Sequence, residues 1–260
     1  MSRVLLSQKR PPIERSTGPL PAGQRTDLTG MAVRNIILLS IPDDEFSFIR
    51  PHLDHVDLPY HQILHLPGER IDFGYFVNGG LVSLVIETSD GRSVEVGIVG
   101  KEGFLGAALA VNVNRSPYRA VVQMPADGLR IRAKVLEDCQ SSLPHLNLLL
   151  NRYAHIQGLQ VAQLAACNRL HEIEQRLARW LLMSQDRVDS GSLSMTHDLL
   201  AQMLGTGRPS VTLAAGILQK AGMIEYSRGN VRILNRKSLE DAACECYRVI
   251  QNFNGELGLK

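Results

Sequence analysis

The chain has 260 residues, of which 44% are hydrophobic and 21% charged, and its formal net charge is +2. This composition is that of an ordinary globular protein, and the length is sufficient for two modest domains that each bury a core. No apolar run approaches the roughly 18 residues of a membrane span, and the first residues lack the pattern of a secretory signal. We therefore expect a cytoplasmic protein with no membrane partner.

The first 32 residues have no apolar periodicity, contain Pro11, Pro12, Pro19 and Pro21, and carry several basic side chains. Segments of this composition bury too little apolar surface to fold by themselves. We predict a disordered basic arm over residues 1–32, and we favour a solvated tail over an auxiliary contact with nucleic acid.

Residues 33–143 are predicted to form a β-rich sensor domain. Short runs with strand character recur along it: Asp57–Leu66, Ile71–Val77, Gly80–Glu87, Ser93–Val99, Tyr118–Met124 and Gly128–Ala133. Asn78-Gly79 and Asp90-Gly91 separate neighbouring runs, and both dipeptides are typical of tight hairpins. Many short strands with such turns favour a sandwich or jelly roll over a parallel sheet.

Residues 144–184 change to helical periodicity, with an expected break near Cys167-Asn168. An apolar stripe runs along the first helix: Leu146, Leu149, Leu150, Tyr153, Ile156, Gln160 and Leu164. The stripe packs either against a second copy of the chain or against the chain's own β domain. We favour a dimerisation helix and hinge, since the segment that follows, described next, is of a kind that usually works as a symmetric pair.

Residues 185–260 contain helix, turn, helix and hairpin in that order. Thr196 is a good N-cap, Gly205-Thr206-Gly207 interrupts the apolar periodicity, and Pro209 falls in the first turn of a second helix. A basic hairpin and a C-terminal helix follow. This order predicts a winged helix-turn-helix, and the alternative is a helical hairpin that packs internally with solvated charges.

The winged segment is also the basic part of the chain. Residues 194–237 carry a net charge of +4, although the whole chain carries only +2. Positive charge around one helix and one hairpin is suited to neutralising phosphates, and it predicts salt-sensitive binding to double-stranded DNA.

With these elements in this order, the sequence resembles the Crp-Fnr superfamily of bacterial transcription regulators. The resemblance spans residues 35 to 250 and is firmest over Glu172–Leu182 and Thr196–Leu218. It implies an α+β fold with an N-terminal β jelly-roll (cyclic-nucleotide-binding-like) domain, a long dimerisation helix and a C-terminal winged helix-turn-helix. It also implies a homodimer on a palindromic promoter site, with RNA polymerase as a further candidate partner.

The resemblance assigns DNA-contacting roles in the winged domain. Arg208 matches the family's recognition arginine, which donates to guanine O6 and N7, whereas Pro209 replaces a usual Glu and Leu213 a second Arg. We expect an operator that differs from the best-known one, with Pro209 or Leu213 on a thymine methyl. The candidate DNA-binding residues are Thr196, Arg208, Pro209, Ser210, Thr212, Leu213 and Arg228.

The resemblance also locates a candidate effector site. In cyclic-nucleotide members a Gly-Glu-x-Gly segment precedes Arg-Ser, and the Glu accepts from the ribose hydroxyl while Arg and Ser bind the phosphate. Here Phe104 stands in place of that Glu, ahead of Arg115 and Ser116, and we expect its ring at the mouth of the pocket. An apolar ring cannot accept the bond, so we predict independence of cyclic AMP, and we slightly favour structural roles for Arg115 and Ser116.

Other site chemistry finds little support in the sequence. Cys244-Glu-Cys246 is a lone C-x-C without further ligands in metal-binding spacing, and His61 and His65 on a strand lie too far apart for one metal. No nucleotide loop, nucleophile elbow or paired carboxylates are recognisable. We predict no metal, no cofactor and no enzyme activity; the alternative function is a cyclic-nucleotide-like regulatory module that controls a protein partner.

Overall fold

A computed structural model describes residues 25–188 and 190–255. Its N-terminal half begins with α1 (Ile36–Ser40) and α2 (Asp43–Ile49) and ends with α3 (Ala133–Cys139). Between them lie the strands β1 (Asp54–Leu58), β2 (Ile63–His65), β3 (Phe73–Val77), β4 (Leu81–Glu87), β5 (Ser93–Val99), β6 (Phe104–Leu105), β7 (Arg119–Met124) and β8 (Ala126–Arg132). No helix in the described part of the chain combines the length and hydrophobicity needed to cross a bilayer.

In the described residues these strands form two antiparallel sheets of four strands, ordered β1-β8-β3-β6 and β2-β7-β4-β5. Apolar side chains from both sheets meet in one core, for example Val77 and Leu105 from the first and Val82 and Val122 from the second. Alternation along each strand sends every second side chain inward, which produces this layer. The predicted antiparallel β domain is confirmed.

The predicted hairpin at Asn78-Gly79 is wrong, because β3 and β4 belong to different sheets. The Asn78 side chain is buried and used for anchoring: its Oδ1 accepts from the backbone N–H groups of Arg34 and Asn35, and its Nδ2 donates to Asp127. The hairpin at Asp90-Gly91 does form, between β4 and β5. The predicted strand Asp57–Leu66 is divided by a turn after Pro59, in which His61 has φ 65°.

Residues 25–32, the end of the predicted arm, pack on the β domain. Arg25 donates to the Ile41 carbonyl and to Asp43, each at 2.6 Å, and Arg50 donates to the Asp27 carbonyl. These anchors fix the segment, contrary to the predicted disorder up to residue 32. Residues 1–24 of the arm lie outside the described residues, so the prediction for them stays a prediction.

The long helix α4 (Pro144–Leu170) is followed by α5 (Ile173–Gln185), and the break lies at His171-Glu172 rather than at Cys167-Asn168. Glu172 starts α5 with a capping box, in which its side chain accepts from the Gln175 N–H and the Gln175 side chain accepts in return.

The apolar stripe of α4 is buried inside the single chain. Leu146, Leu150 and Tyr153 pack into the core of the β domain formed with α1 and α2, and Leu164 packs into the core around α5. The stripe therefore does not supply the predicted dimer contact, since its own domain already covers it.

The C-terminal unit contains, besides α5, the elements β9 (Ser192–Ser194), α6 (His197–Leu204), α7 (Arg208–Lys220), β10 (Ile224–Ser227), β11 (Asn230–Ile233), α8 (Arg236–Ala242) and α9 (Cys246–Gly255). In α5, Leu177 and Leu181 share one core with Val211 and Leu218 of α7. The packing of this unit thus begins before residue 185, where the domain boundary was expected.

Candidate nucleic-acid interface

Two local signals fix the angle between α6 and α7. The Thr196 hydroxyl accepts from the Leu199 N–H and caps α6, and Gly205 ends that helix at φ 59°. A Cβ on Gly205 would lie 2.9 Å from a Val94 methyl carbon of β5, so a larger residue would be strained in this turn against the β domain. Thr196 therefore has a structural task in addition to its predicted contact with DNA.

Helix α7 buries one face and exposes the other. Val211, Ala214, Ala215 and Leu218 face the core. The outer face surrounds an open surface hollow, lined by Arg208, Pro209, Thr212, Leu213, Gly216, Ile217 and Lys220. Leu213 is 68% exposed, an unusual position for a leucine that has no partner.

Arg208 and Thr212 lie next to each other on this outer face. Arg208 is largely exposed, and its Nη1 lies 3.4 Å from Asp198 Oδ2, too far for a strong ion pair. The Thr212 hydroxyl donates to the Arg208 carbonyl at 3.0 Å and accepts from His197 Nδ1 at 2.9 Å. The Arg208 guanidinium is therefore available to a ligand, whereas the Thr212 hydroxyl already has partners.

His197 connects α6 to the wing. Its ring stacks on Tyr226 of β10 at a centroid distance of 4.1 Å. Burial and the nearby Arg208 charge lower the pKa of His197, so the imidazole is neutral at pH 7 and donates through Nδ1. This contact holds the N-terminal end of α6 against the β10–β11 hairpin.

The two strands of the wing, β10 and β11, are joined by a two-residue turn, Arg228-Gly229, with φ values of 49° and 77°. Positive φ at both positions is the type I′ geometry that matches the twist of the flanking strands. Arg228 is exposed at the tip, and it has no ion pair among the residues that the structure describes. Its placement suits contact with a phosphate.

Several basic residues of the winged segment are neutralised within the protein. Arg232 pairs with Glu225 at 2.6 Å, Arg236 with Asp186 at 2.7 Å, and Lys237 with Asp241 at 2.8 Å. Within the described residues, the basic side chains left for DNA in this segment are Arg208, Lys220 and Arg228. The net charge of +4 over residues 194–237 therefore overstates the positive potential of this surface. Asp186 and Asp241 lie outside that range in the sequence but pair with Arg236 and Lys237 in space.

In the candidate effector site, Phe104 lies in the core and not at the mouth of a pocket. It is fully buried, and its ring centroid is 4.6 Å from that of Phe76. The ring also covers Gly74, where an added Cβ would lie 2.2 Å from Phe104 Cζ. Strand β6 turns the side chain inward between these residues.

Arg115 pairs with Arg70 in an isolated β-bridge, and the backbone of the adjacent Ser116 donates to the Glu69 carbonyl and accepts from the Gly68 N–H. Arg115 Nη1 donates to the Gly68 carbonyl at 2.7 Å, although the residue is exposed. The buried Ser116 hydroxyl donates to the Tyr118 carbonyl at 2.7 Å. Both side chains thus have partners within the β domain, and their structural role stays a prediction.

A buried carboxyl joins the β domain to the winged unit. Glu95 of β5 accepts from Trp180 Nε1 of α5 at 2.7 Å and from the Ser83 hydroxyl. Burial raises the pKa of Glu95 to about 7, although the two hydrogen bonds and the Arg179 and Arg187 charges act in the opposite direction.

This raised pKa predicts a stability that falls with pH. Between about pH 4.5 and 7 Glu95 is protonated in the folded protein and ionised in the unfolded chain, so folding loses stability as pH rises through this window. We expect Glu95→Gln to remove up to about 1.4 kcal/mol per pH unit of this dependence. Urea unfolding from pH 5 to 7 measures it, with Glu225→Gln on the wing surface as the control. Equal slopes in wild type and Glu95→Gln would contradict the assignment.

One cluster was missed by the sequence analysis. The fold brings Cys167 and His171, at the end of α4, to Cys244 and Cys246, and their ligand atoms all lie within 4.8 Å of one another. The statement that Cys244-Glu-Cys246 lacks accompanying ligands is therefore wrong. The spacing of Cys167 and His171, four residues apart where a helical pattern ends, was the signal available.

Comparison with known proteins agrees with this architecture. The profile of the cyclic nucleotide-binding domain matches residues 55–142, and that of the Crp-like helix-turn-helix domain matches residues 175–242. The global nitrogen regulator of Synechocystis is 24% identical over 68% of this chain and 82% of its own length. The transcriptional regulator SdrP of Thermus thermophilus is 28% identical over 68% of this chain and 87% of its own.

Solved structures show the same fold. FixK2 from Bradyrhizobium japonicum superposes with a TM-score of 0.64 at 15% identity, covering 74% of this chain and 98% of that one. A CRP/FNR family transcriptional regulator from Thermus thermophilus gives 0.57 at 21% identity, over 73% and 98%. A cyclic-nucleotide-binding-type β domain joined by a long helix to a winged helix-turn-helix defines a DNA-binding transcription regulator. This chain belongs to the Crp-Fnr superfamily.

Proposed function

We propose that this protein binds a palindromic promoter site as a homodimer and regulates transcription without a requirement for cyclic AMP. The observation that carries the proposal is the outer face of α7, where the guanidinium of Arg208 and the apolar side chain of Leu213 are both exposed. A helix with one buried small-residue face and one exposed face of this kind fits a major groove.

The two halves of this face have different tasks in the proposal. Arg208 donates two hydrogen bonds to the O6 and N7 atoms of a guanine. Pro209, Leu213 and Ile217 form an apolar surface beside it, which suits thymine methyl groups. Ser210 and the wing residue Arg228 contact phosphates and set the position of α7 without reading sequence.

A dimer contact is available on the side of α4 opposite to its buried stripe. Residues there are exposed or half-buried, with Leu148 one heptad before a run at four- and three-residue spacing, as in a coiled-coil seam: His155, Leu159, Ala162 and Ala166. Small side chains would let a second copy of the helix approach closely. Two symmetric copies of α7 would then read half-sites about one DNA turn, roughly 34–36 Å, apart.

DNA binding and oligomeric state can be tested together. The full chain is titrated onto a fragment of its own promoter in an electrophoretic shift, and its mass is measured by sedimentation at micromolar concentration. We expect a dimer and a shift that weakens steeply with salt. A monomer together with no shift on promoter DNA would contradict the proposal and favour a regulatory module for a protein partner.

Independence of cyclic AMP is a separate prediction. The buried Phe104 offers no acceptor for the ribose hydroxyl, and Ser116 is occupied by the Tyr118 carbonyl. We expect no measurable heat in a calorimetric titration with cyclic AMP and unchanged operator affinity in its presence. Submicromolar binding that also raises operator affinity would overturn this prediction.

In this proposal the protein acts in the cytoplasm. It works by binding DNA and not as an enzyme. Residue 104 supplies no ribose acceptor to an effector in this proposal. RNA polymerase is the further partner expected if the protein activates transcription.

A further inference from the structure

Three thiols and one imidazole meet where the end of α4 lies against the start of α9. Cys167 and Cys246 are fully buried and Cys244 nearly so. His171 is the first residue after α4. These side chains come from segments more than 70 residues apart in the sequence. Packing alone does not explain why buried thiols gather around an imidazole, because ordinary apolar side chains would fill the space as well.

The spacing of the donor atoms is that of a tetrahedral metal site. Bond lengths of about 2.3 Å to sulfur and 2.0–2.1 Å to nitrogen place two tetrahedral sulfur donors about 3.8 Å apart, and sulfur about 3.6 Å from nitrogen. In the structure Cys167 Sγ lies 3.5 Å from Cys244 Sγ, and Cys246 Sγ lies 3.6 Å from His171 Nδ1. A disulfide would require about 2.0 Å between the sulfur atoms.

The surrounding side chains orient these donors. His171 Nε2 lies 3.1 Å from Glu245 Oε1, so Nε2 carries the proton and Nδ1, which faces the thiols, is left with its lone pair. Gln163 Nε2 donates to Cys246 Sγ at 3.0 Å. A carboxylate behind a histidine and an N–H group on a thiolate are the usual outer contacts of a metal site.

Positive charge lies beside the cluster, and the deprotonated form of cysteine, which binds metals, is favoured next to basic side chains. Arg176 and Arg179 are both buried beside the cluster. Three thiolates around a divalent cation leave one net negative charge, which these guanidinium groups offset.

We propose that Cys167, His171, Cys244 and Cys246 bind one Zn²⁺ in a closed tetrahedral site. Soft thiolate donors and tetrahedral geometry select Zn²⁺ over hard cations such as Mg²⁺ or Ca²⁺. Because the protein supplies all four ligands, no position is open for substrate, and the ion has a structural role.

The position of the site defines that role. His171 forms the joint between α4 and α5, whereas Cys244 and Cys246 flank the start of α9. The ion ties the start of the C-terminal helix to this joint, and the Gln160–Asn254 hydrogen bond at 2.7 Å holds the far end of that helix against α4. The joint connects the β domain with the DNA-reading unit, so the ion limits how the two can move.

The experiment measures metal content in the full chain, purified without oxygen and with reductant. We expect about one Zn²⁺ per chain by elemental analysis, and loss of the ion in Cys167→Ser, Cys244→Ser and Cys246→Ser. Cys139→Ser is the matched control, since Cys139 lies outside the cluster, and it keeps its ion. Loss of the ion should also raise amide exchange in Cys246–Gly255.

A measurement on the wild-type chain guards against variants that fail to fold. Replacement with Co²⁺ should give the intense visible bands of a tetrahedral site together with thiolate charge-transfer absorption. Absence of bound metal in the reduced wild-type chain, also after addition of Zn²⁺, would overturn the proposal. So would full metal content in all three serine variants.

Discussion

Phe104→Glu should destabilise the protein severely and should not create a site for cyclic AMP. Removal of a buried phenylalanine costs about 3–5 kcal/mol, and a carboxylate in place of the Phe104 ring would be buried against Phe76 and Gly74. We expect a free energy of unfolding lower by at least about 4 kcal/mol in urea denaturation.

The matched comparison for this variant is Phe48→Glu. Phe48 is 47% exposed, so the same change there should cost little. Phe104→Leu, which keeps an apolar side chain, should fall between the two. A stable Phe104→Glu protein that binds cyclic AMP would show that residue 104 faces a nucleotide pocket, contrary to its position in the core.

Arg208→Ala has the second large expected effect. Loss of a bidentate contact to guanine costs about 1–3 kcal/mol on the specific site, a 5- to 150-fold loss of affinity, and it relaxes the preference at one base pair per half-site. Arg228→Ala, at the tip of the wing, should weaken binding to all sequences alike and reduce its salt dependence. Fluorescence anisotropy on matched and mismatched operators separates the two effects.

A charge control completes this comparison. Arg248 is an exposed arginine of α9, so Arg248→Ala removes the same charge far along the chain from α7. It should leave operator affinity nearly unchanged. Identical behaviour of Arg208→Ala and Arg228→Ala on both operators would show that the two residues do not have the different roles proposed.

The winged unit was predictable because its signals are local. Thr196 caps a helix, Gly205 ends it and Pro209 starts the next, and each does so through contacts within a few residues. The strands of the β domain were predicted for the same reason, from alternation and turn residues. Arg208 was assigned to the outer face because the apolar positions from Val211 to Leu218 leave the polar residues of the helix uncovered.

What the sequence could not show depends on distant packing. The stripe of α4 has the same pattern whether a second chain or its own β domain covers it. Phe104 stands on a strand of only two residues, too short for alternation to give the direction of its side chain. Cys167 and Cys244 are 77 positions apart, and only the fold makes them neighbours.

The hydrogen bond between Trp180 and Glu95 bears on how such a protein acquires a new signal. If this winged unit were fused to an unrelated sensor, the indole N–H would lose its acceptor in a dry interface, at about 1–3 kcal/mol. The β domain and the winged unit are thus adapted to each other and are not interchangeable. We expect lineages of this protein to change specificity by substitutions inside one sensor, and chimeras to work only when the acceptor on β5 is transplanted too.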